Sequence, residues 1–355
     1  MERKVLRTVT AMMAALTIAV CFVLLNYPDL HVYALQKNVE YSAKRTAGYS
    51  VLDLMRDETE ILKGNAQDER LQKQLRLELP EGVAYDDVEI ENHYIYQTIT
   101  IRLPHIDESY FYDYPMIGSC DHITDITFET GKDGGVISIV TDNVYELDEA
   151  WENEYLYIDF KSPRDLYDKI IVVDAGHGGN APGATKQGVS EKDIDLAIVK
   201  RLKHLLDESD QRIGVYYTRL DDTNPALESR VAMANNLSAD LFLSVHNNST
   251  ASGRMSSING TEVMYRASDT SGKSKEFAQV CLDHLLQRLG SQSKGLVAGD
   301  DIYIVRTAEM PVALVEVGFM TNQEELEKLK SSEYQNACAQ ALYDAMMQML
   351  EVGNE

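Results

Sequence analysis

The hydrophobic positions between residues 74 and 160 alternate with polar ones. Leu75, Leu77 and Leu79 alternate with Arg76 and Glu78, and the same period of two returns in later stretches. Clusters rich in Gly, Pro, Asp and Asn separate these stretches, which predicts short strands joined by turns. We therefore expect a small antiparallel β domain, arranged as a sandwich. The later stretches are 98–103, 123–128, 136–140 and 155–158.

After a boundary at residues 161–164, the pattern changes to alternating strands and helices. The apolar strands at 169–174 and 241–245 suit a sheet that is covered on both faces. The stretch 190–206 repeats an apolar residue every four positions, as one buried helix face requires, and Ser190 with Asp193 predicts a capping box. This order predicts an α/β fold, with a mostly parallel sheet flanked by helices. Further strands are predicted at 214–218, 301–305 and 312–317, and helices at 227–236, 274–289, 324–330 and 334–350.

The first 34 residues differ from both of these regions. Arg3, Lys4 and Arg7 precede an uncharged run from Thr8 to Leu25, which is at the short end of a membrane span and longer than most signal-peptide cores. Positive flanking charge places the start in the cytoplasm and the rest of the chain outside. We favour an uncleaved N-terminal membrane helix, with a signal-peptidase site at residues 32–34 as the alternative.

Composition excludes some classes of partner. The 355-residue chain has a formal net charge of -24, whereas binding to nucleic acid needs clustered Lys and Arg, so we expect no nucleic-acid partner. The four cysteines, at positions 21, 120, 281 and 338, form no CxxC pair. Neither a disulfide framework nor a cysteine metal site is therefore indicated. Protein partners and the oligomeric state are not predicted by the sequence.

Four chemically reactive side chains stand where apolar runs meet turns or helix starts. His177 lies in a Gly-rich turn after the first strand of the α/β region, and His246 follows a later strand. Ligand sites in parallel sheets lie at the carboxyl ends of strands, so both imidazoles are expected at one edge of the sheet. Glu191 begins a helix, and Glu316 lies inside an apolar strand, where an unpaired carboxylate is costly to bury.

Each of these residues has a structural explanation when it is taken alone. Glu191 would compensate the helix dipole, His246 would be a polar strand end, and Glu316 would belong to a hydrogen-bonded core pair. Together, however, two His and one Glu make a common catalytic zinc set that leaves a fourth position to water. A further carboxylate can move the protons of that water. Three neighbours are candidates for orienting the ligands or contacting substrate: Asp174, Asn247 and Asn248.

Ordered sequence blocks run through the α/β region. They are Val-Asp-Ala-Gly-His-Gly-Gly (173–179), Pro-Gly-Ala (182–184), Glu-Lys-Asp (191–193), Thr-Arg (218–219), Arg230, Ala-Asn (234–235), Ser-Val-His-Asn-Asn (244–248), Gly-Thr-Glu-Val (260–263) and 310–319 with Asn322. Any one block would be weak. Together they make residues 169–350 resemble the zinc-dependent N-acetylmuramoyl-L-alanine amidases of bacterial cell walls, in the group called amidase type 3. Ala175 replaces the usual proline of the first block, which affects turn stiffness and not ligation.

The resemblance implies a hydrolase of peptidoglycan. In that family, zinc is held at the positions matched by His177, Glu191 and His246, and the catalytic glutamate is at the position matched by Glu316. The bond cleaved is the amide between N-acetylmuramic acid and L-alanine of the stem peptide. Two alternatives stay open: another zinc hydrolase of the same polymer, such as a carboxypeptidase or deacetylase, and a non-catalytic wall-binding protein.

Three segments are expected along the chain. Residues 1–34 hold a cytoplasmic stub and a membrane anchor or signal segment, residues 35–165 a β-rich envelope domain, and residues 166–355 the zinc amidase domain. A β domain at this place is similar in position to the AMIN modules that localise amidases on the envelope. The amidase domain is then expected outside the cytoplasm, at the bacterial cell envelope.

One connection distinguishes this chain from some members of the family. Those relatives carry a long helical insert between the matches of Tyr265 and Phe277, which covers the site until an activator binds. Only a short connection is present here. We therefore expect an open site.

Overall fold

The computed structural model describes residues 72–209 and 212–351. The predicted membrane helix in residues 1–34 and the first part of the β-rich region lie outside the described residues. Within the described ranges, no helix has both the length and the apolar composition that crossing a bilayer requires.

Residues 75–161 form two four-stranded antiparallel sheets. Apolar side chains of both sheets share one core, in which Leu77, Ile101, Ile137 and Leu156 are at most 1% exposed. The alternation in the sequence gives each sheet one apolar face, and the two faces pack together as a sandwich. The predicted antiparallel region is thus confirmed. Its strands are β1 Leu75–Glu78, β2 Glu89–His93, β3 Thr98–Pro104, β4 Ile117–Gly118, β5 Ile123–Gly131, β6 Gly134–Thr141, β7 Glu146–Glu152 and β8 Tyr155–Lys161, with short helical turns at Tyr85–Asp87, Tyr94–Tyr96 and α1 Tyr110–Asp113. The sheet orders are β4-β1-β8-β7 and β2-β3-β6-β5.

From Pro163 onward, helices alternate with strands around a six-stranded sheet. Its helices are α2 Pro163–Leu166, α3 Glu191–Asp207, α4 Leu227–Asn236, α5 Lys273–Leu289, α6 Tyr303–Thr307, α7 Gln323–Leu329 and α8 Ser332–Glu351. Its strands are β9 Lys169–Ala175, β12 Ile213–Tyr217, β13 Leu241–Asn248, β14 Thr261–Tyr265, β15 Ser293–Ala298 and β16 Val312–Phe319, and a separate small hairpin joins β10 Thr185–Lys186 to β11 Val189–Ser190. The sheet order is β12-β9-β13-β16-β14-β15.

Neighbouring strands of this sheet are parallel except for β14 and β16, which run antiparallel. The prediction of a mostly parallel α/β sheet is therefore confirmed, with one reversed pairing that makes the sheet mixed.

Both faces of the six-stranded sheet are covered. On one face, α3, α5 and α8 contribute Ile198, Phe277 and Leu342 to a common core. On the other face, α4 and α6 pack together with Val144 from the β sandwich. The sandwich therefore packs directly on the α/β sheet, next to α4.

Several local predictions were wrong. Residues 301–305 were predicted as a strand, but helix α6 begins at Tyr303, because so short an apolar run fits both periods. Strands β14 and β15 were not predicted at all. Ser190 makes no side-chain hydrogen bond to the start of α3, so the predicted capping box with Asp193 is absent.

Candidate metal centre

His177 lies two residues after β9, in the left-handed backbone region at φ 59°. Residues other than glycine adopt this region rarely and at a cost, so surrounding contacts must hold it there. The preceding Gly176 has no room for a side chain, since a Cβ atom there would lie 2.4 Å from Cε1 of His246. The turn thereby brings two imidazoles together, with ring centroids 4.8 Å apart.

Glu191 is the first residue of α3, and its carboxylate meets both imidazoles. Its Oε1 lies 3.0 Å from Nε2 of His177 and 3.1 Å from Nδ1 of His246. Its Oε2 accepts a hydrogen bond from the backbone N–H of Ala184 at 2.7 Å. Burial by itself would raise the pKa of Glu191, but the contacts with the two histidines outweigh it and hold that pKa well below its usual range. Glu191 is therefore an ionised oxygen donor between two nitrogen donors.

His246 lies inside β13, which continues to Asn248, whereas the sequence predicted a strand that ends before it. In the sheet, His246 is the register partner of Glu316 on the parallel neighbour β16. Partners on neighbouring strands project from the same face of a sheet. The pairing therefore brings Glu316 to the imidazole side of the cluster.

Glu316 has one carboxylate oxygen, Oε2, that is buried and has no hydrogen-bond partner within the described part of the chain. Burial is the main reason why the pKa of Glu316 lies well above its usual range, and the carboxylates of Glu191 and Glu262 add to it. This arrangement differs from the hydrogen-bonded core pair that was the structural alternative. A buried carboxyl with a shifted pKa in a cleft is instead typical of a group that transfers protons.

Asp195 also joins the cluster, and it was not among the residues predicted from the sequence. One ligand atom from each of His177, Glu191, Asp195 and His246 lies within 4.8 Å of the others. Asp195 stands one helical turn after Glu191, and this spacing of two acids on one helix face was the available signal. Burial, followed by the charge of Glu191, raises the pKa of Asp195 well above its usual range. Its Oδ1 accepts the hydrogen bond from Nδ2 of Asn247 at 2.7 Å, so one oxygen of Asp195 is already engaged.

The three predicted neighbours of the ligands have different surroundings. Asp174 is 1% exposed, and its carboxylate is fully engaged inside the protein. Asn247 donates one hydrogen bond from its backbone N–H to Oε1 of Glu191 at 3.1 Å and another from Nδ2 to Asp195 at 2.7 Å. Asn248 lines the cleft. Asp174 accepts hydrogen bonds from Thr218 Oγ1 at 2.6 Å, Ser244 Oγ at 2.6 Å and Arg230 Nη1 at 2.8 Å.

The cluster opens into a cleft of about 540 Å³. His177, Glu191, His246 and Glu316 all line it, and apolar side chains form further parts of its wall. Two imidazole nitrogens and one carboxylate oxygen around a common point are a donor set that suits a divalent metal such as zinc. The unpartnered oxygen of Glu316 beside them is a second sign that a further group belongs here. The apolar residues of the wall are Ala181, Pro225, Ala226, Leu227, Ile302, Ile304 and Leu314.

Sequence comparison identifies relatives for the α/β part of the chain. A family model described as N-acetylmuramoyl-L-alanine amidase matches residues 171–348. The uncharacterized protein YqiI of Bacillus subtilis (strain 168) is 35% identical over 178 residues, which cover 50% of this chain and 83% of YqiI. The N-acetylmuramoyl-L-alanine amidase LytC of the same strain is 36% identical over 176 residues, which cover 50% of this chain and 34% of LytC.

Two solved amidase structures are among the matches to this chain. The N-acetylmuramoyl-L-alanine amidase from Clostridium difficile 630 is 33% identical with a TM-score of 0.48, and the match covers 52% of this chain and 97% of that chain. The catalytic domain of the amidase CwlV from Bacillus (Paenibacillus) polymyxa var. colistinus is 34% identical with a TM-score of 0.48, covering 52% and 99%.

Proposed function

This chain belongs to the N-acetylmuramoyl-L-alanine amidase family across residues 171–348, and from that premise we propose that it hydrolyses the amide between N-acetylmuramic acid and L-alanine of the peptidoglycan stem peptide. The observation that carries the proposal is the meeting of His177, Glu191, His246 and Glu316 in one cleft. These side chains come from four separate segments, so the tertiary fold assembles them.

We propose Zn²⁺ as the metal, held by His177, Glu191 and His246. The donor set supports zinc, since two imidazoles and one carboxylate are a common ligand set of hydrolytic zinc sites. Zinc in such a site polarises a substrate carbonyl and makes a water molecule more acidic. The turn at His177 and the first turn of α3 hold two of the donors in fixed positions. Asn247 adds a hydrogen bond that orients the carboxylate of Glu191.

Glu316 is the proposed catalytic residue. Its Oε2 accepts a proton from the attacking water and then delivers a proton to the nitrogen of the leaving L-alanine. The raised pKa of this carboxyl supports the role, because a carboxylate of higher pKa is a stronger proton acceptor than an ordinary glutamate. The free Oε2 supports the role as well, since no other described residue competes for it.

The site is proposed to be open without an activator. The connection between Tyr265 and Phe277 contributes no side chain to the described lining of the cleft. Purified full-length protein should therefore degrade peptidoglycan without a second protein. Activity that appears only after such a protein is added would contradict this proposal.

We place the reaction outside the cytoplasm, at the cell envelope. The family acts on the cell wall, and Arg3, Lys4 and Arg7 before the uncharged run from Thr8 to Leu25 support an N-terminal anchor. We further propose that the β sandwich is an AMIN-like module of the envelope, because it precedes the amidase domain. Fractionation of cells together with protease protection of the intact chain tests both the anchor and the side of the membrane.

Digestion of purified sacculi with the full-length protein, followed by mass spectrometry, tests the function. We expect free stem peptides that begin with L-alanine and glycan strands that keep their acetyl groups. A chelator should stop the reaction, and added zinc should restore it. Loss of a terminal amino acid would identify a carboxypeptidase, loss of acetate a deacetylase, and binding without products a non-catalytic protein. Each of these three results would overturn the proposal.

A further inference from the structure

Arg219 is a buried cation two residues after β12, and the residue is 3% exposed. Each hydrogen bond that the structure describes for its guanidinium goes to a backbone carbonyl. Burying a cation is costly, and the carboxylates of Asp195, Asp174 and Asp222 offset that cost for Arg219 only in part. The acceptors are Ala175 O with Nε at 2.9 Å, Asp221 O with Nη1 at 2.9 Å, and both Gly176 O at 2.5 Å and Lys192 O at 2.9 Å with Nη2.

These carbonyls belong to the segments that carry two of the proposed ligands. Ala175 and Gly176 directly precede His177, and Lys192 directly follows Glu191. A single nitrogen, Nη2 of Arg219, donates to both segments. The guanidinium therefore joins the turn of one ligand to the first helical turn of the other.

The planar guanidinium suits this task better than an ammonium group. Its five N–H donors have a fixed geometry, so the carbonyls they bind are held at fixed relative positions. Arg230 supports the same turn by donating to the carbonyls of Ala175 and His177, but its charge is paired with Asp174. Arg219 is the one of these two arginines that also reaches α3. Arg219 and Arg230 together thus hold the carbonyls of Gly176 and His177.

We propose that Arg219 is a positioning residue that sets the separation of His177 and Glu191 and thereby the affinity of the metal site. The inference rests on the proposed ligand set. Residues that orient metal ligands in this way typically change metal affinity by about 10–100-fold when they are replaced. A role confined to packing would instead lower the stability of the metal-free protein and leave the affinity of the folded protein unchanged.

The test measures the zinc dissociation constant of the full-length protein by competition with a chromophoric chelator. Two variants are compared with the wild type. Arg219→Gln loses the charge and most of the N–H donors, and Arg219→Lys keeps the charge but lacks the planar guanidinium. The matched control is Arg201→Gln in the later part of α3, whose guanidinium binds the carbonyl of Ala197 in its own helix. Circular dichroism of each metal-free variant, at the assay temperature, shows that folding does not contribute to the measured affinity.

We expect the dissociation constant to rise about 10–100-fold in Arg219→Gln and by a smaller factor in Arg219→Lys, with Arg201→Gln within twofold of the wild type. A folded Arg219→Gln within twofold of the wild type would overturn the inference. If that variant does not fold without metal, an unchanged constant in Arg219→Lys overturns it equally. A wild-type protein that binds no zinc would instead overturn the ligand set itself, and this inference with it.

Discussion

His246 and Glu316 are register partners on the parallel strands β13 and β16. On the other side of Glu316, its partner on the antiparallel strand β14 is Glu262. Glu316 thus lies between an imidazole and a second acid at one edge of the sheet. Burial, followed by the charges of Glu191 and Glu262, favours the protonated form of Glu316 and raises its pKa. The antiparallel pairing of β14 with β16 therefore contributes to the chemistry proposed for Glu316.

Replacing Glu316 by Gln removes the proton acceptor and keeps the shape of the side chain. We expect the turnover number for release of stem peptides to fall about 10²–10⁴-fold, which is the usual contribution of general acid–base catalysis. Zinc content should not change, because the proposed ligands stay in place. Glu309→Gln is the control and should keep full activity, because Glu309 is exposed and lies before β16. A Glu316→Gln protein with wild-type turnover would remove the role assigned to this residue.

Replacing His246 by Ala removes one proposed nitrogen donor. We expect the zinc content of the purified protein to fall from about one ion per chain, the value for a site of this kind, to a small fraction of that, together with the activity. Elemental analysis by mass spectrometry measures the metal directly. His284→Ala is the control, because His284 is far from the cluster in sequence and contacts Gln348 on the exposed side of α5 and α8. Full zinc occupancy in His246→Ala would exclude His246 as a ligand.

The sequence predicted those features that depend on residues close together along the chain. Alternating apolar residues such as Leu75 and Leu77 predicted the antiparallel strands, because burial of one face requires that period. His177, Glu191, His246 and Glu316 could be singled out because reactive residues next to apolar strands are unusual. The structure brings all four of these residues into one cleft.

The sequence was less informative where the outcome depends on partners distant along the chain. Strand β15 lies at the edge of the sheet and is largely exposed. It therefore needs no alternating apolar residues, and the sequence gives no pattern from which the strand could be predicted. Arg219 and Arg230 bind backbone carbonyls. Because every residue has a backbone carbonyl, no sequence pattern shows which residues accept these hydrogen bonds. Asp195 is marked in the sequence only by its spacing of four residues from Glu191, which places both acids on one helix face.

Gly176 is predicted to be irreplaceable for a steric reason. A Cβ at this position would lie 2.4 Å from the His246 ring, so Gly176→Ala must displace that imidazole or the turn. We expect a loss of stability of about 1–3 kcal/mol, as for other overpacked sites, and weaker zinc binding. Gly131→Ala is the control, because a Cβ there meets nothing closer than 3.9 Å. Urea unfolding and zinc titration of both variants check the prediction, and unchanged zinc binding in Gly176→Ala would show that the turn adapts freely.

Glu146 connects the β sandwich to the α/β sheet. Its carboxylate accepts hydrogen bonds from Tyr94 of the sandwich at 2.7 Å and from Tyr216 of β12 at 2.6 Å, and the two tyrosine rings meet edge to face at 5.0 Å. Glu146→Ala leaves both hydroxyls without their charged acceptor, so we expect a loss of about 2 kcal/mol in the free energy of unfolding. Glu152→Ala, exposed on the same strand, should stay within about 0.5 kcal/mol of the wild type.

Tyr94 and Tyr216 also make the stability of the contact between the β sandwich and the α/β sheet depend on pH. Burial, followed by the contact with Glu146, raises the pKa of both Tyr94 and Tyr216 above their ordinary value of 10.0. A group whose pKa is higher in the folded protein than in the unfolded chain contributes its full stability at pH values below the unfolded pKa. Above that pH the contribution falls, because the unfolded chain releases the proton and the folded protein keeps it. Wild-type stability should therefore begin to fall near pH 10, and a Tyr94→Phe, Tyr216→Phe double variant should fall less steeply. Equal slopes in urea unfolding between about pH 9 and pH 11 would show that these hydroxyls do not hold the sandwich against the sheet.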